Sequence, residues 1–155
     1  MVVAVAATTK VAGCGRTQES SSQLAAISPS AAVGEYQAEE KTLTLAPGTG
    51  WPASVAFATT GPDGRGMLYQ IGYGTSRADH YWYCSWESAL IQAEPSSDAA
   101  GVARRQLVTI RDKHMYQADV IPPDRPYFNK VLNTALEGNL RLMKRDVRLN
   151  CQGAQ

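Results

Sequence analysis

The segment Arg77-Ala-Asp-His-Tyr-Trp-Tyr-Cys-Ser-Trp-Glu-Ser-Ala-Leu-Ile-Gln-Ala93 carries two of the three tryptophans and one of the three cysteines of the chain. Its apolar side chains recur at helical spacing on two opposite sides, one holding Trp82 and Trp86 and the other holding Tyr81 and Cys84. Ser76 is the predicted N-cap, and Pro95 ends the segment because proline cannot continue a helix. The pattern therefore predicts a central helix of about four turns that is covered on both sides.

Three short segments that precede this helix have the patterns of β-strands. Residues 41–46 alternate polar and apolar side chains, and residues 54–59 and 66–73 each place their large apolar groups on one face. The turn sequence Gly61-Pro-Asp-Gly64 separates the last two, since proline fixes one φ and glycine supplies a positive one. We expect an antiparallel three-stranded meander, covered by the tryptophan side of the central helix.

Further helices are predicted after Pro95, over residues 96–115, 126–138 and 139–151, from their caps and apolar stripes. The predicted fold class is α+β: a small antiparallel three-stranded meander packed on about four helices, as a single globular domain over residues 35–152. The chain has 155 residues and a net charge of +1, so no bulk field attracts nucleic acid. No run of about 18 apolar residues is present, and no transmembrane span is expected.

The N-terminal sequence Val11-Ala12-Gly13-Cys14 resembles the lipobox of bacterial lipoproteins. The resemblance implies that residues 1–13 are a signal-like leader, that Cys14 is lipidated, and that the protein is extracytoplasmic and anchored to the cell membrane. The Ser-, Ala- and Gln-rich residues 14–34 are predicted to be a polar, flexible linker. The alternative is a cytoplasmic protein with a disordered tail.

Cys84 and Cys151 both lie on apolar faces of predicted helices, so both thiols point toward the core. A disulfide between them would close a loop of about 66 residues and would fit an exported protein. The alternative is a pair of reduced, buried thiols.

Four aromatic residues between the expected meander and the central helix are candidates for binding a small ligand: Tyr69, Tyr73, Tyr81 and Trp82. The alternative for these rings is core and rim packing. No catalytic residues, metal site or cofactor are predicted, because His80 and His114 are far apart in the sequence and no metal-binding or phosphate-binding motif is present.

The last predicted helix has a basic stripe beside its apolar face, formed by Arg141, Lys144, Arg145 and Arg148. Such a stripe is suited to contact with an anionic lipid surface or an acidic protein, and the alternative is a solvated helix face.

Two functional hypotheses follow. The first is a non-catalytic cell-envelope domain, lipid-tethered or secreted, that binds a protein or envelope component. The alternative is a small extracytoplasmic enzyme or small-ligand binder with an aromatic-lined site between sheet and central helix. The Trp82-Tyr-Cys-Ser-Trp86 sequence and the closing Asn150-Cys151 also resemble exported domains of actinobacteria, a resemblance that implies no particular activity.

Overall fold

The fold is that of a computed structural model, which describes residues 25–151. It is mostly helical with one small sheet. The elements in chain order are β1 (Ala26–Ile27), α1 (Pro29–Glu40), β2 (Tyr69–Gln70), α2 (Tyr73–Gln92), α3 (Asp98–Val108), a 3₁₀ turn (Thr109–Asp112), a π turn (Met115–Asp119), α4 (Arg125–Leu136) and α5 (Arg141–Asn150).

Helix α2 is the predicted central helix, and the prediction that both of its sides are covered is confirmed. Trp82 and Trp86 lie in the main hydrophobic core, which also receives side chains from α1, α3 and α4. On the other side, Cys84 packs with Val147 and Cys151 of the C-terminal region in a second, smaller cluster. Both sides of the central helix are therefore covered by apolar side chains, and α5 reaches the same two clusters through Met143 and Val147.

Helix α2 begins at a different residue from the one predicted. Its N-cap is Gly72, which has a φ of 87°, and the cap is completed by the carboxylate of Glu35 on α1. That carboxylate accepts hydrogen bonds from Gly72 N at 2.9 Å and from Gly74 N at 3.0 Å. A negative charge at a helix N-terminus is stabilising. Ser76 lies inside the first turn and is buried, so its predicted role as the N-cap is wrong.

The predicted three-stranded meander is wrong. The described chain contains one two-stranded antiparallel sheet, in which β1 pairs with β2, and residues 41–46 and 54–59 are not strands. The first of these segments is instead fastened to α2 by side chains. Ala46 N donates to Ser85 Oγ at 3.2 Å, and Trp86 Nε1 donates to Thr44 O at 3.0 Å.

The predicted turn at residues 61–64 is confirmed. Gly64 N donates to Gly61 O at 3.0 Å, and Gly64 has a φ of 77°. A single antiparallel bridge between Thr60 and Gly66 is all the strand pairing next to this turn. The turn therefore forms without the two long strands that it was expected to join.

The three C-terminal helices are confirmed as α3, α4 and α5, but α3 is shorter than predicted. It ends at Val108, and the 3₁₀ and π turns occupy the residues up to Asp119. The fully buried carboxylate of Asp79 on α2 accepts a hydrogen bond from Met115 N at 3.0 Å, which ties the π turn to the central helix.

Secondary structure is present in part of the segment predicted to be a flexible linker. Strand β1 and the first half of α1 lie within residues 14–34, which were predicted to be a flexible linker, and Ala32 of α1 is fully buried. The predicted leader, residues 1–13, and the predicted lipidation site Cys14 lie outside the described residues. Over residues 25–151, no helix combines the length and the apolar character needed to cross a membrane.

Candidate functional site

A concave pocket of about 440 Å³ lies between residues 52–58, β2, the first half of α2 and the C-terminal end of α5. This volume lies within the range of small-molecule sites, which is roughly 300–1,000 Å³. The side chains that line it and bear on its chemistry are Tyr36, Phe57, Tyr69, Tyr73, Arg77, His80, Tyr81, Asn150 and Cys151.

Three aromatic rings form one wall of the pocket. The ring centroid of Phe57 lies 5.6 Å from that of Tyr69 and 5.2 Å from that of Tyr73, and the two tyrosine rings are 4.7 Å apart. The hydroxyl of Tyr69 donates to Ala58 O at 2.9 Å, which holds the ring against residues 52–58. The wall is preorganised, so a ligand ring could stack on it without first ordering these side chains.

Tyr81 holds the opposite part of the pocket in place. Its ring stacks on that of Trp51 at 5.2 Å, and its hydroxyl donates to Gly50 O at 2.8 Å. Trp51 in turn meets the ring of Tyr36 edge-on at 5.8 Å. These contacts attach the loop around residue 51 to helices α1 and α2.

Three of the four predicted ligand-binding aromatics, Tyr69, Tyr73 and Tyr81, line this pocket together. Trp82 does not, and its predicted place in the site is wrong. It follows Tyr81 by about 100° around α2, and its ring is only 2% exposed in the main core, with Lys113 Nζ 5.6 Å from the ring centroid.

The pocket has a positive electrostatic character. Among the described residues that line it, Arg77 is the one side chain with a fixed charge, and none of residues 25–151 offers it a carboxylate at ion-pair distance. Burial lowers the pKa of His80, the charge of Arg77 lowers it further, and Asp146 partly offsets the effect. His80 is therefore neutral near pH 7, and Arg77 supplies the charge of the site.

A disulfide lies at the floor of the pocket. The structure joins Cys84 and Cys151, the pairing predicted from the sequence, with their Cα atoms 5.5 Å apart. Cys151 lines the pocket, and His80 Nε2 lies 3.7 Å from Cys84 Sγ. His80 lies four residues before Cys84 on α2, a spacing that places both side chains on the same face of the helix.

The carboxyl group of Glu87 is buried beside the disulfide. Its Oε2 lies 3.4 Å from Cys151 Sγ, and its Oε1 has no hydrogen-bond partner among residues 25–151. Burial, and then the charge of Asp146, raise the pKa of Glu87 well above its usual value. A disulfide sulfur carries no hydrogen, so Cys151 cannot donate a hydrogen bond to this carboxyl group.

Replacing Glu87 by glutamine should stabilise the oxidised protein at neutral and higher pH. The folded-state pKa of Glu87 is raised, so the unfolded state releases the proton first and native stability falls as pH rises above about 4.5. Glu87→Gln removes this titration. We expect urea midpoints to differ little at about pH 4 and to favour the variant at about pH 8. Glu94→Gln is the control, because Glu94 is exposed. If the urea midpoints of both variants depend on pH in the same way, Glu87 is not a neutral, buried acid in the folded protein.

A second pocket, of about 320 Å³, lies among α2, α4 and α5 and has the opposite character. It combines aromatic side chains with three carboxylates from Asp119, Asp124 and Asp146. Sequence reasoning missed this pocket, because its acids come from three separate segments. Its negative charge makes it unsuited to an anionic ligand.

The predicted basic stripe lies on the exposed face of α5. Arg141, Lys144 and Arg148 line an open groove of about 470 Å³ with residues 138–140, and Arg145 is exposed outside that groove. The contact of this stripe with an anionic partner stays a prediction.

Comparison with known proteins leaves the chain without an assigned family. No protein-family model matches it, and no curated protein or solved structure matches it either.

Proposed function

We propose that the protein is a non-catalytic, extracytoplasmic binding domain whose ligand is a small molecule with an aromatic ring and an anionic group. The observation that supports this best is the aromatic wall of Phe57, Tyr69 and Tyr73 beside the charged side chain of Arg77 in one concave pocket. Of the two hypotheses from the sequence, this is the small-ligand alternative in its binding form.

The two parts of the proposed ligand are matched by different forces. An aromatic pair contributes about 0.5–1.5 kcal/mol beyond the apolar area that it buries. A hydrogen bond to a charged group contributes about 1.5–3 kcal/mol. Arg77 has no acidic partner to give up within residues 25–151, so an incoming anion would gain this interaction without breaking an ion pair.

The proposed location rests on different observations. Disulfides such as Cys84–Cys151 persist outside the cytosol, and Cys14 has the lipobox-like context that suggests a lipid anchor. The intact mass of the protein, expressed in a bacterium from its own start, tests this part. Cleavage before Cys14 with an added lipid is expected, and an uncut chain with Cys14 unmodified would exclude the lipid anchor.

The hypothesis of an envelope protein or lipid-surface partner remains as a second candidate. It is favoured by the basic groove of Arg141, Lys144 and Arg148 on α5. Cosedimentation with vesicles that contain anionic lipid tests it, and binding unchanged in the double variant Arg141→Gln, Lys144→Gln would exclude this groove.

Arg77→Gln should weaken binding of an anionic aromatic probe, anilinonaphthalene sulfonate, by about 10-fold, because the lost interaction is worth at least about 1.4 kcal/mol. Binding of the uncharged N-phenylnaphthylamine should change little. Tyr73→Ala should weaken both probes, since the ring belongs to the shared wall. Probe fluorescence titrations measure all of these affinities.

The matched control is Arg105→Gln, since Arg105 is an exposed arginine on α3 and does not line the pocket. It should bind both probes like the unmodified protein. Equal losses in Arg77→Gln and Arg105→Gln, or full binding in Tyr73→Ala, would place the probe elsewhere and reject the proposal.

A further inference from the structure

Three potential metal ligands meet at the floor of the pocket. His80, Cys84 and Cys151 each offer one donor atom, and these atoms all lie within 4.8 Å of one another. We propose that reduction of the Cys84–Cys151 disulfide creates a Zn²⁺ site, made of the two thiolates and the His80 imidazole, with a fourth coordination position open to the pocket. The proposal does not depend on the ligand-binding function.

The geometry of the oxidised protein is already close to that of such a site. In a tetrahedral zinc site the Zn–S distance is about 2.3 Å and the Zn–N distance about 2.0–2.1 Å, so neighbouring donors lie roughly 3.5–3.8 Å apart. The distance from His80 Nε2 to Cys84 Sγ is 3.7 Å. These two residues are one helical turn apart on α2, so two of the three donors already have the spacing of zinc ligands before the sulfur–sulfur bond is broken.

The chemistry of the three donors selects the metal. Two thiolates with one imidazole form a set that suits zinc, and hard cations such as Mg²⁺ or Ca²⁺ require oxygen ligands. The two cysteines are almost completely shielded from solvent. His80 and Cys151 border the pocket, and Cys84 lies behind them. A metal bound there would have three protein ligands on one side and the pocket on the other, the arrangement that leaves room for water or a ligand group.

The reaction sequence balances with a dithiol as reductant. The dithiol transfers two electrons and two protons to the sulfur–sulfur bond, which breaks to give two thiols, and the dithiol closes to its own disulfide. Zn²⁺ then binds the two sulfurs and releases both thiol protons to solvent. Either link, disulfide or metal, connects the middle of α2 to the C-terminal end of α5. The metal would therefore replace a covalent cross-link that reduction has removed.

Co²⁺ binding to the reduced full-length chain tests the proposal. The chain carries Cys14→Ser, so that only the two thiols of the site remain, and a trialkylphosphine reduces the disulfide while becoming its oxide. We expect one Co²⁺ per chain with thiolate-to-metal charge-transfer absorption and the visible bands of a tetrahedral ion, displaced by Zn²⁺. The oxidised protein should give neither signal.

The matched histidine variants decide which side chain completes the site. His80→Gln should weaken Zn²⁺ binding by at least about 10-fold, the scale on which even outer-shell partners act. His114→Gln, which changes the exposed second histidine, should have no effect. Equal affinity in the two variants, or no thiolate absorption in the reduced protein, would overturn the proposal.

Circular dichroism covers the case in which the reduced chain loses structure. Zn²⁺ should then restore the helical signal of the reduced protein but leave that of the His80→Gln variant low. Metal binding without recovery of helix would mean that the thiols act as an unfolded chelator, and the proposal would fail. Probe binding by the oxidised protein is measured without metal, so either outcome leaves the proposed ligand site to its own test.

Discussion

Gly74→Ala should destabilise the protein by at least about 3 kcal/mol, because α1 crosses α2 in contact with the backbone of this residue. A Cβ at Gly74 would lie 2.0 Å from Ala32 O and 2.8 Å from Tyr36 N. Both neighbours are backbone atoms of α1, so no side-chain rotation relieves the overlap. The helices would have to separate, and the hydrogen bond from Gly74 N to Glu35 would lengthen. Urea unfolding, followed by circular dichroism, measures the loss.

Gly34→Ala is the matched control, since Gly34 lies in α1, close to the same crossing. A Cβ at that position meets no atom within 4 Å, and the residue has ordinary helical geometry. Alanine is favoured over glycine inside a helix by about 0.5–1 kcal/mol. The control should therefore be stabilised. A similar small effect of both substitutions would show that α1 does not approach α2 closely at Gly74.

The central helix was predictable because its apolar residues repeat over many turns on two sides. The same periodicity placed Cys84 on a face opposite the tryptophans and Cys151 on the inner face of the last helix, and the structure pairs these two residues. An apolar pattern that repeats over many turns reflects the geometry of the helix itself, so it predicts the helix without knowledge of the neighbouring elements.

The prediction of a meander was wrong because alternation in a short segment does not determine which groups form hydrogen bonds with its backbone. In residues 41–46 Leu43 is buried and Leu45 is half-buried, as alternation suggests, but Ala46 is buried as well, which a strand with one buried face does not explain. The backbone groups, however, pair with Ser85 and Trp86 of α2 instead of with another strand. Tertiary contacts of this kind cannot be read from alternation alone.

Helix α1 was missed for the opposite reason, since its composition is that of a linker. The local signal was present: Ser28 accepts a hydrogen bond from Ala31 N, and Pro29 occupies the first helical position. Both are typical of a helix N-terminus. The buried residues of this helix are Ala32 and Tyr36. They do not form a long apolar stripe, so the sequence does not indicate that the helix packs against a core.

The candidate site was predictable only in part. The aromatic residues Tyr69, Tyr73 and Tyr81 were found because large rings near a strand and a helix start are conspicuous. Arg77 was not predicted as a site residue, because a single arginine forms no sequence motif. Its place in the pocket depends on which aromatic side chains the fold brings next to it. The contact of His80 with Cys84 follows from their spacing of four residues on α2, whereas the place of Cys151 beside them depends on the approach of α5 to α2.

Removing the disulfide should cost about 4 kcal/mol, the loop-entropy value for cross-linked residues that are 67 positions apart. Cys84→Ala and Cys151→Ala should each show this loss, since either change breaks the same bond. Alanine avoids placing a new hydroxyl in the apolar cluster with Val147. Domains of this size have total stabilities of about 5–15 kcal/mol, so the loss would be visible as a large shift of the urea midpoint.

The double variant distinguishes a shared bond from two separate packing sites. If Cys84 and Cys151 are partners, the double variant should lose about as much as either single variant, because the second substitution has no bond left to break. Phosphine reduction of the unmodified protein, measured without metal, should give a loss of the same size. Cys14→Ala should leave stability unchanged, since the predicted bridge does not include it. Two single losses that add in the double variant would mean that each cysteine contributes by packing alone, and the link between α2 and the C-terminal end of α5 would have to be abandoned.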